Sequence, residues 1–557
     1  MQSLFSRLDA LAGIETENSV AKWLERIAFV FLILMVLSAP HSIAATQIAY
    51  LSGMFFWTIR LFIKPRPKFV RTPLDFALWS FFGWSILSAA LSYAPDISLG
   101  KLRGVALFLI FYFVVNNLRN IRAVKFLAAT LIFSCMASVL WLPIERAYGR
   151  GVQVAGIKAE SIFAKAIEFN HDIYLSAKGR DPRPLDDSKS EDAVPSPVIE
   201  GDAITRAGVV SVRTPEELVA EIEKNDVTYL ENFHNPLYFS IKVRRADLLD
   251  GTTALEKLGI DSWKPNRNWR YAGFYGQIIT YAEVLQMIMS LALGLFIAGF
   301  ENKGDAKKKR DRFSVETKVA RPFLKSPCRR AASLVLLFCL AGMSFALLMT
   351  ATRAAQLALL VSALTIVLAN GSRKMLAALA ILILPIALLG YFFVRQNRTI
   401  DIDGKGDVSV SYRQTVYREA FNLWTSSPRN FFLGVGMDSA KRYKEAWHLF
   451  DDGRLEASHF HSTPLQLLAE RGLPALLLWI WILCIYVRTL RRGIQNPNSE
   501  DWQTRGILLG CLGGLVGFFV SSLVNYSLGD SEVAMVFYLL TGIGVALCNS
   551  KLKISDV

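Results

Sequence analysis

Apolar stretches of about twenty residues recur roughly twelve times along the chain, and basic clusters fall in every second gap between them. A helix needs about 20 apolar residues to cross a ~30 Å hydrocarbon core. It also satisfies its own backbone polar groups, which lipid cannot do. The pattern predicts an all-α polytopic membrane protein. Spans are expected near 24–42, 44–63, 74–93, 99–117, 123–144, 277–299, 332–351, 354–370, 375–394, 473–488, 505–524 and 532–549.

The basic gaps fix an orientation. Lys64, Arg66, Lys68 and Arg71 follow the second span, and Arg119, Arg122 and Lys125 the fourth. The gap after the sixth is the most basic, running from Lys307 to Arg330; Arg373 and Lys374, then Arg488, Arg491 and Arg492, mark later ones. Under the positive-inside rule these gaps and both termini are cytoplasmic. The odd gaps then face outward, most simply into a bacterial periplasm from the inner membrane. Two of them are long, which divides the chain into 1–144 (spans one to five), 145–276 (a periplasmic insertion), 277–394 (spans six to nine), 395–472 (a periplasmic loop with the polar motifs) and 473–557 (spans ten to twelve and a tail).

The insertion has its own grammar. Asp181–Pro197 is acidic with Pro and Ser and reads as a disordered linker. Thr214-Pro215-Glu216-Glu217 is a helix start, with a capping Thr, a Pro in the first turn and a Glu three residues after the cap. Val227–Val243 is β-prone and interrupted by Pro236. A small α+β appendage is expected.

Composition agrees with a membrane protein: 52% of residues are hydrophobic and the mean hydropathy is +0.33. The net charge of +15 would point to nucleic acid in a soluble protein, but here much of it lies in short loops beside spans. No basic–aromatic nucleic-acid motif is present. Met1–Val20 is polar and mixed, so the first apolar stretch, Ile27–Leu37, is expected to be a retained helix rather than a cleaved signal. The six cysteines lie in spans or basic-side loops without CxxC spacing, so neither a metal site nor a disulfide framework is expected.

The polar motifs collect on the outward side. Thr350-Ala351-Thr352-Arg353 makes a tight turn between spans seven and eight, which holds Arg353 at the membrane rim against the charge rule. Arg413 precedes Tyr417 by four residues, and Gly434-Val435-Gly436 follows as a turn. Ser458-His459-Phe460-His461-Ser462 then leads into an amphipathic stretch with Gln466, Glu470 and Gly472 and on into span ten. Arg270-Tyr271-Ala272-Gly273-Phe274 precedes span six, Glu283 lies a short way inside it, and Lys101 and Arg103 sit at the outer end of span four.

These motifs resemble the O-antigen ligase and polymerase superfamily, most closely the ligases. The likeness rests on Thr352-Arg353, on Arg413 and Tyr417 with Gly434 and Gly436, and on His459, His461, Leu465, Gln466, Glu470, Gly472 and Leu473, with a weaker match at Arg270–Phe274. It covers about 270–549. Ser462 stands where the family usually has asparagine, and the 145–276 insertion is longer than usual. The resemblance implies transfer of a preassembled glycan from undecaprenyl pyrophosphate to an acceptor hydroxyl, in ligases that of lipid A–core; no acidic cluster suggests a metal, and no cofactor is expected.

The residue chemistry is compatible with that. A sugar hydroxyl is a poor nucleophile, and a positioned base adds about 10²–10⁴-fold. His461 is the expected base, since an ordinary imidazole titrates near ~6.5. Arg353 and Arg413 would hold the departing pyrophosphate bidentately, in place of a metal. His459, Arg270, Lys101 and Arg103 are the expected substrate-binding groups. Direct displacement would invert the anomeric centre. Structural alternatives stand beside each role: a helix-capping His461, snorkelling Arg353, Lys101 and Arg103, a solvated Arg413, and a Glu283 paired with a nearby arginine. Repeat-unit polymerases and protein O-oligosaccharyltransferases share the donor. A lipid or polysaccharide transporter would instead bury ionisable groups at the midplane or break helices there. A scaffold would use the appendage to recruit partners.

Overall fold

The computed structural model describes residues 2–169, 198–234, 237–299, 327–371, 408–450, 459–496 and 501–549. The expected ninth span, the Asp181–Pro197 linker, Ser458 and the Lys307–Lys325 stretch lie outside the described residues. Seven helices precede the insertion: α1 (Gln2–Ala12), α2 (Ser19–Ser38), α3 (Ile43–Phe62), α4 (Asp75–Ala90), α5 (Pro95–Val105), α6 (Leu109–Asn117) and α7 (Ile121–Tyr148). The insertion contributes β1 (Val152–Ile157), β2 (Ile167–Phe169), β3 (Ala203–Ala207), β4 (Val210–Ser211), α8 (Pro215–Glu223), β5 (Val227–His234), β6 (Leu237–Arg244), α9 (Ala254–Leu258) and β7 (Ile260–Pro265). Then come α10 (Ile278–Gly299), α11 (Pro327–Met349), α12 (Arg353–Asn370), α13 (Val408–Thr425), α14 (Pro428–Leu433), α15 (Ser439–Arg442), α16 (Thr463–Gln495), α17 (Trp502–Ser522) and α18 (Ser531–Cys548).

Among the described residues eight helices are long and apolar enough to cross a membrane: Pro95–Asn117, Ile121–Tyr148, Ile278–Gly299, Arg329–Met349, Arg353–Asn370, Thr463–Gln495, Trp502–Ser522 and Ser531–Cys548. This is a helical membrane protein. The apolar helices α2, α3 and α4 occupy the first three expected stretches. Polar caps set the helix starts, as where Asn120 accepts from the Ala123 N–H and Asp501 from that of Thr504. The central pair is α10 against α17. A Cβ on Gly294, Gly506 or Gly510 would meet the facing helix's backbone, so glycine permits this approach.

The insertion is a seven-stranded antiparallel sheet in the order β2-β6-β5-β3-β1-β7, with β4 paired to β3. Thr214 caps α8 by accepting from Glu217 N, and Pro215 fills its first turn. Leu218, Val219 and Ile222 of α8 pack against Val152, Ile204, Leu230 and Ile241 of the sheet. The two ends of the insertion are stitched together where they meet the bundle. Arg150 N donates to Asn266 O at 2.8 Å, and Asn266 N to Gly151 O at 3.2 Å. The Arg150 guanidinium lies 4.2 Å over the Trp269 ring.

Since α7 runs into the insertion and α10 runs out of it, one end of the bundle is the insertion end. The turn after α11 lies there too, because Tyr271 N donates to Met349 O at 2.9 Å. So does the start of α16: Thr463 N donates to Asn525 O at 3.0 Å, and Asn525 Nδ2 to Glu283 Oε1, near the start of α10, at 2.7 Å.

Candidate active site

His459 and His461 lie side by side just before α16. Their ring centroids are 4.2 Å apart and the planes make 60°. His461 has φ +48°, a left-handed conformation rare for a non-glycine residue. That turn sends its amide toward His459, whose Nδ1 accepts at 3.3 Å. A nitrogen that accepts carries no proton, so His459 here is neutral with its proton on Nε2. Phe460 between them is buried, and its N–H donates to Gln466 Oε1 at 2.7 Å.

Helix α13 supplies Arg413. Tyr417 lies four residues on, hence on the same face, and its hydroxyl donates to His461 O at 3.1 Å. Arg413 is half-buried and close enough to act on the His461 charge. Burial, then the His459 ring, then Arg413 push the His461 imidazole down to about 3. Burial lowers His459 too, opposed by the carboxylates of Asp438 and Asp530. Both rings are therefore neutral at neutral pH. The ordinary imidazole value expected for His461 thus gives way to a lower one: the ring is neutral but weakly basic, because protonating it puts a cation in a half-dry site beside a guanidinium.

The Gly434-Val435-Gly436 turn is zipped onto the end of the amphipathic stretch. Val435 N donates to Ala469 O and Gly436 N to Glu470 O, both at 2.8 Å. The expected run into span ten is one helix only by hydrogen bonding: it breaks at Gly472 (φ 74°, ψ 179°), followed by Pro474. A Cβ on Gly472 would strike Phe432 O, and one on Gly434 the Glu470–Arg471 backbone. Buried Glu470 accepts from Asp438 N at 2.8 Å. Asp438 pairs with Lys101 at 2.5 Å, so Lys101 reaches the site's edge through a carboxylate. Arg103, two residues further on α5, is exposed on another side of the helix and is not brought to that pair.

Arg353 is exposed at the first position of α12. The turn before it holds Ala351 at φ +49°. Arg270 grips this turn: Nε donates to Thr350 O at 2.8 Å, and Nη2 lies 3.3 Å from Thr352 Oγ1. Its guanidinium is thus engaged with the backbone and hydroxyl oxygens of the turn that leads into Arg353. Glu283, for which an arginine partner was the structural alternative, is met by neutral donors: Ser521 Oγ, Asn525 Nδ2 and Ser527 Oγ donate to its Oε1. Sequence reasoning missed Asp438, Asn525 and Tyr526, whose ring lies 5.9 Å from that of His459. Only their location in expected outward gaps could have flagged them. Among the described residues no group of three or more His, Cys, Asp or Glu side chains could hold a metal ion.

Residues 338–480 match the family model described as O-antigen ligase. This segment of the chain is thus similar to the O-antigen ligases, the family its motifs resemble. The family consists of glycosyl-transferring membrane enzymes. The matched stretch contains Arg353, Arg413, His459 and His461, while Arg270, Lys101, Arg103 and Glu283 lie outside it. No curated protein matches the chain.

Proposed function

We propose that the protein moves a preassembled glycan from undecaprenyl pyrophosphate to an acceptor hydroxyl, best lipid A–core, at the periplasmic face of a bacterial inner membrane. The observation that carries this reading is the joint of Arg413, Tyr417 and the His459–His461 pair within the ligase-family segment. In the proposed step, the acceptor hydroxyl gives its proton to a ring nitrogen of His461. The acceptor oxygen bonds the anomeric carbon as that carbon's bond to the pyrophosphate breaks. The electron pair leaves on the pyrophosphate oxygen, and the anomeric centre inverts.

Arg413 and Arg353 hold the charge that develops on the leaving group. His459 takes a donor's role, because its Nδ1 is occupied and its Nε2 already bears the proton. The diphosphate also lessens the weakness of the base. Negative charge beside Arg413 offsets the smallest of the three influences that depress His461, so the imidazole becomes more basic when the donor is in place.

The test is transfer by purified protein from a lipid-linked glycan to core lipid. His461→Ala is expected to lower it by about 10²-fold or more. Near-normal transfer by that variant would overturn the base assignment. A product with one glycan on core lipid supports the ligase reading, whereas stepwise chain growth or glycosylated protein would move the assignment to a polymerase or a protein oligosaccharyltransferase.

A further inference from the structure

Glu283 is a buried carboxylate in α10 that the step above does not use. It is 3% exposed. An ionisable side chain within a membrane helix is costly and calls for a compensating role. Its partners are specific. Ser521 Oγ, Asn525 Nδ2 and Ser527 Oγ converge on a single oxygen, Oε1, at 2.6, 2.7 and 3.0 Å. All three belong to the last turn of α17 or to the link from α17 to α18.

That link carries the start of α16. The Asn525 carbonyl accepts from both N and Oγ1 of Thr463, each at 3.0 Å. Tyr526, the next residue, lays its ring beside His459. One turn before Glu283 on α10, Thr280 donates to Asp530 at the link's far end. Two positions on one face of α10 thus pin both ends of the segment.

We propose that Glu283 is a positioning residue, which sets the placement of the His459–His461 pair through Asn525 and Thr463. This rests on the reading of His461 as the base, and it adds a residue outside the ligase-family match. The carboxylate acts as a fixed acceptor: three donors from one segment can converge only if that segment has a single place. Loss of the acceptor frees the link, and the imidazole loses its near-attack position.

The experiment compares Glu283→Ala and Glu283→Gln in the full-length purified protein. It has two readouts: hydrogen exchange over 459–467, and the split between kcat and KM for the lipid-linked donor. Glu283→Ala is expected to speed exchange of these amides by about tenfold or more. It is expected to cut kcat by about 10–100-fold with KM changed less than about threefold. Glu283→Gln, whose amide oxygen still accepts, is expected to restore both. Wild-type exchange in Glu283→Ala would overturn the proposal, as would a Gln variant no better than Ala. Exchange needs no transfer, so it judges the positioning even if His461→Ala proves active and the base assignment falls. If Glu283→Ala does not fold, Asn525→Ala severs the same connection and is read in the same way: wild-type exchange overturns the proposal, and faster exchange supports it.

Discussion

The sharpest prediction concerns the protonation of His461. Burial, the neighbouring ring of His459 and the guanidinium of Arg413 hold the imidazole near 3. An ordinary histidine, at about 6.5, is only about 1% neutral at about pH 4.5, whereas His461 stays almost wholly neutral there. Acylation of imidazole by diethyl pyrocarbonate needs the neutral form and can be followed residue by residue by peptide mass spectrometry. Lowering the pH from about 7.5 to about 4.5 is expected to slow a free histidine peptide by about 100-fold and His461 by less than about twofold. Restricted access of the reagent lowers the absolute rate at His461 but not the midpoint read from its pH profile.

Protonation also links to stability. The unfolded chain takes up this proton first, so the contribution of His461 is fully present above about pH 6.5 and is lost as pH falls toward 3. At about 1.4 kcal/mol per unit, a shift from about 6.5 to about 3 corresponds to on the order of 5 kcal/mol. His459 is shifted in the same direction and adds to the loss. Bound undecaprenyl pyrophosphate should raise the midpoint. A negative charge about 6 Å away at an effective dielectric of about 20 is worth about 3 kcal/mol, or about two units. A His461 midpoint near 6.5 without ligand would refute the argument from burial and Arg413. A midpoint that stays put with the diphosphate bound would refute the activation of the base by its donor.

Two other substitutions test the frame around the pair. Gly472→Ala puts a side chain into a φ/ψ region that is almost exclusively glycine's, at a cost of roughly 1–3 kcal/mol before any clash with Phe432; a thermal shift in detergent should fall by several degrees, and an unchanged melt would show that the break is not needed. Arg270→Lys keeps the charge but loses the fork that spans Thr350 and Thr352; transfer should fall about 10-fold or more with little change in donor affinity if Arg270 acts by holding the turn before Arg353, whereas a large rise in KM alone would mark Arg270 as the substrate contact expected from the sequence.

The sequence by itself determined the membrane-spanning helical character, since about 20 apolar residues have few other stable fates. It also flagged Arg353, Arg413, His459 and His461, because their motifs are local: a tight turn, an i,i+4 spacing on one helix face, and a helix start. It signalled the Thr214 cap of α8 as well, where side chain and backbone partner lie three residues apart. Only the tertiary structure decided which distant groups serve these motifs. Arg270 meets Thr350, Glu283 meets Asn525, and Lys101 meets Asp438 across long stretches of chain. The break at Gly472 depends on the Phe432 backbone lying against it. The depressed titration of His461 depends on burial and on the field of another helix. Burial, fields and long-range acceptors belong to the packing of several elements at once, so no window of neighbouring residues contains them.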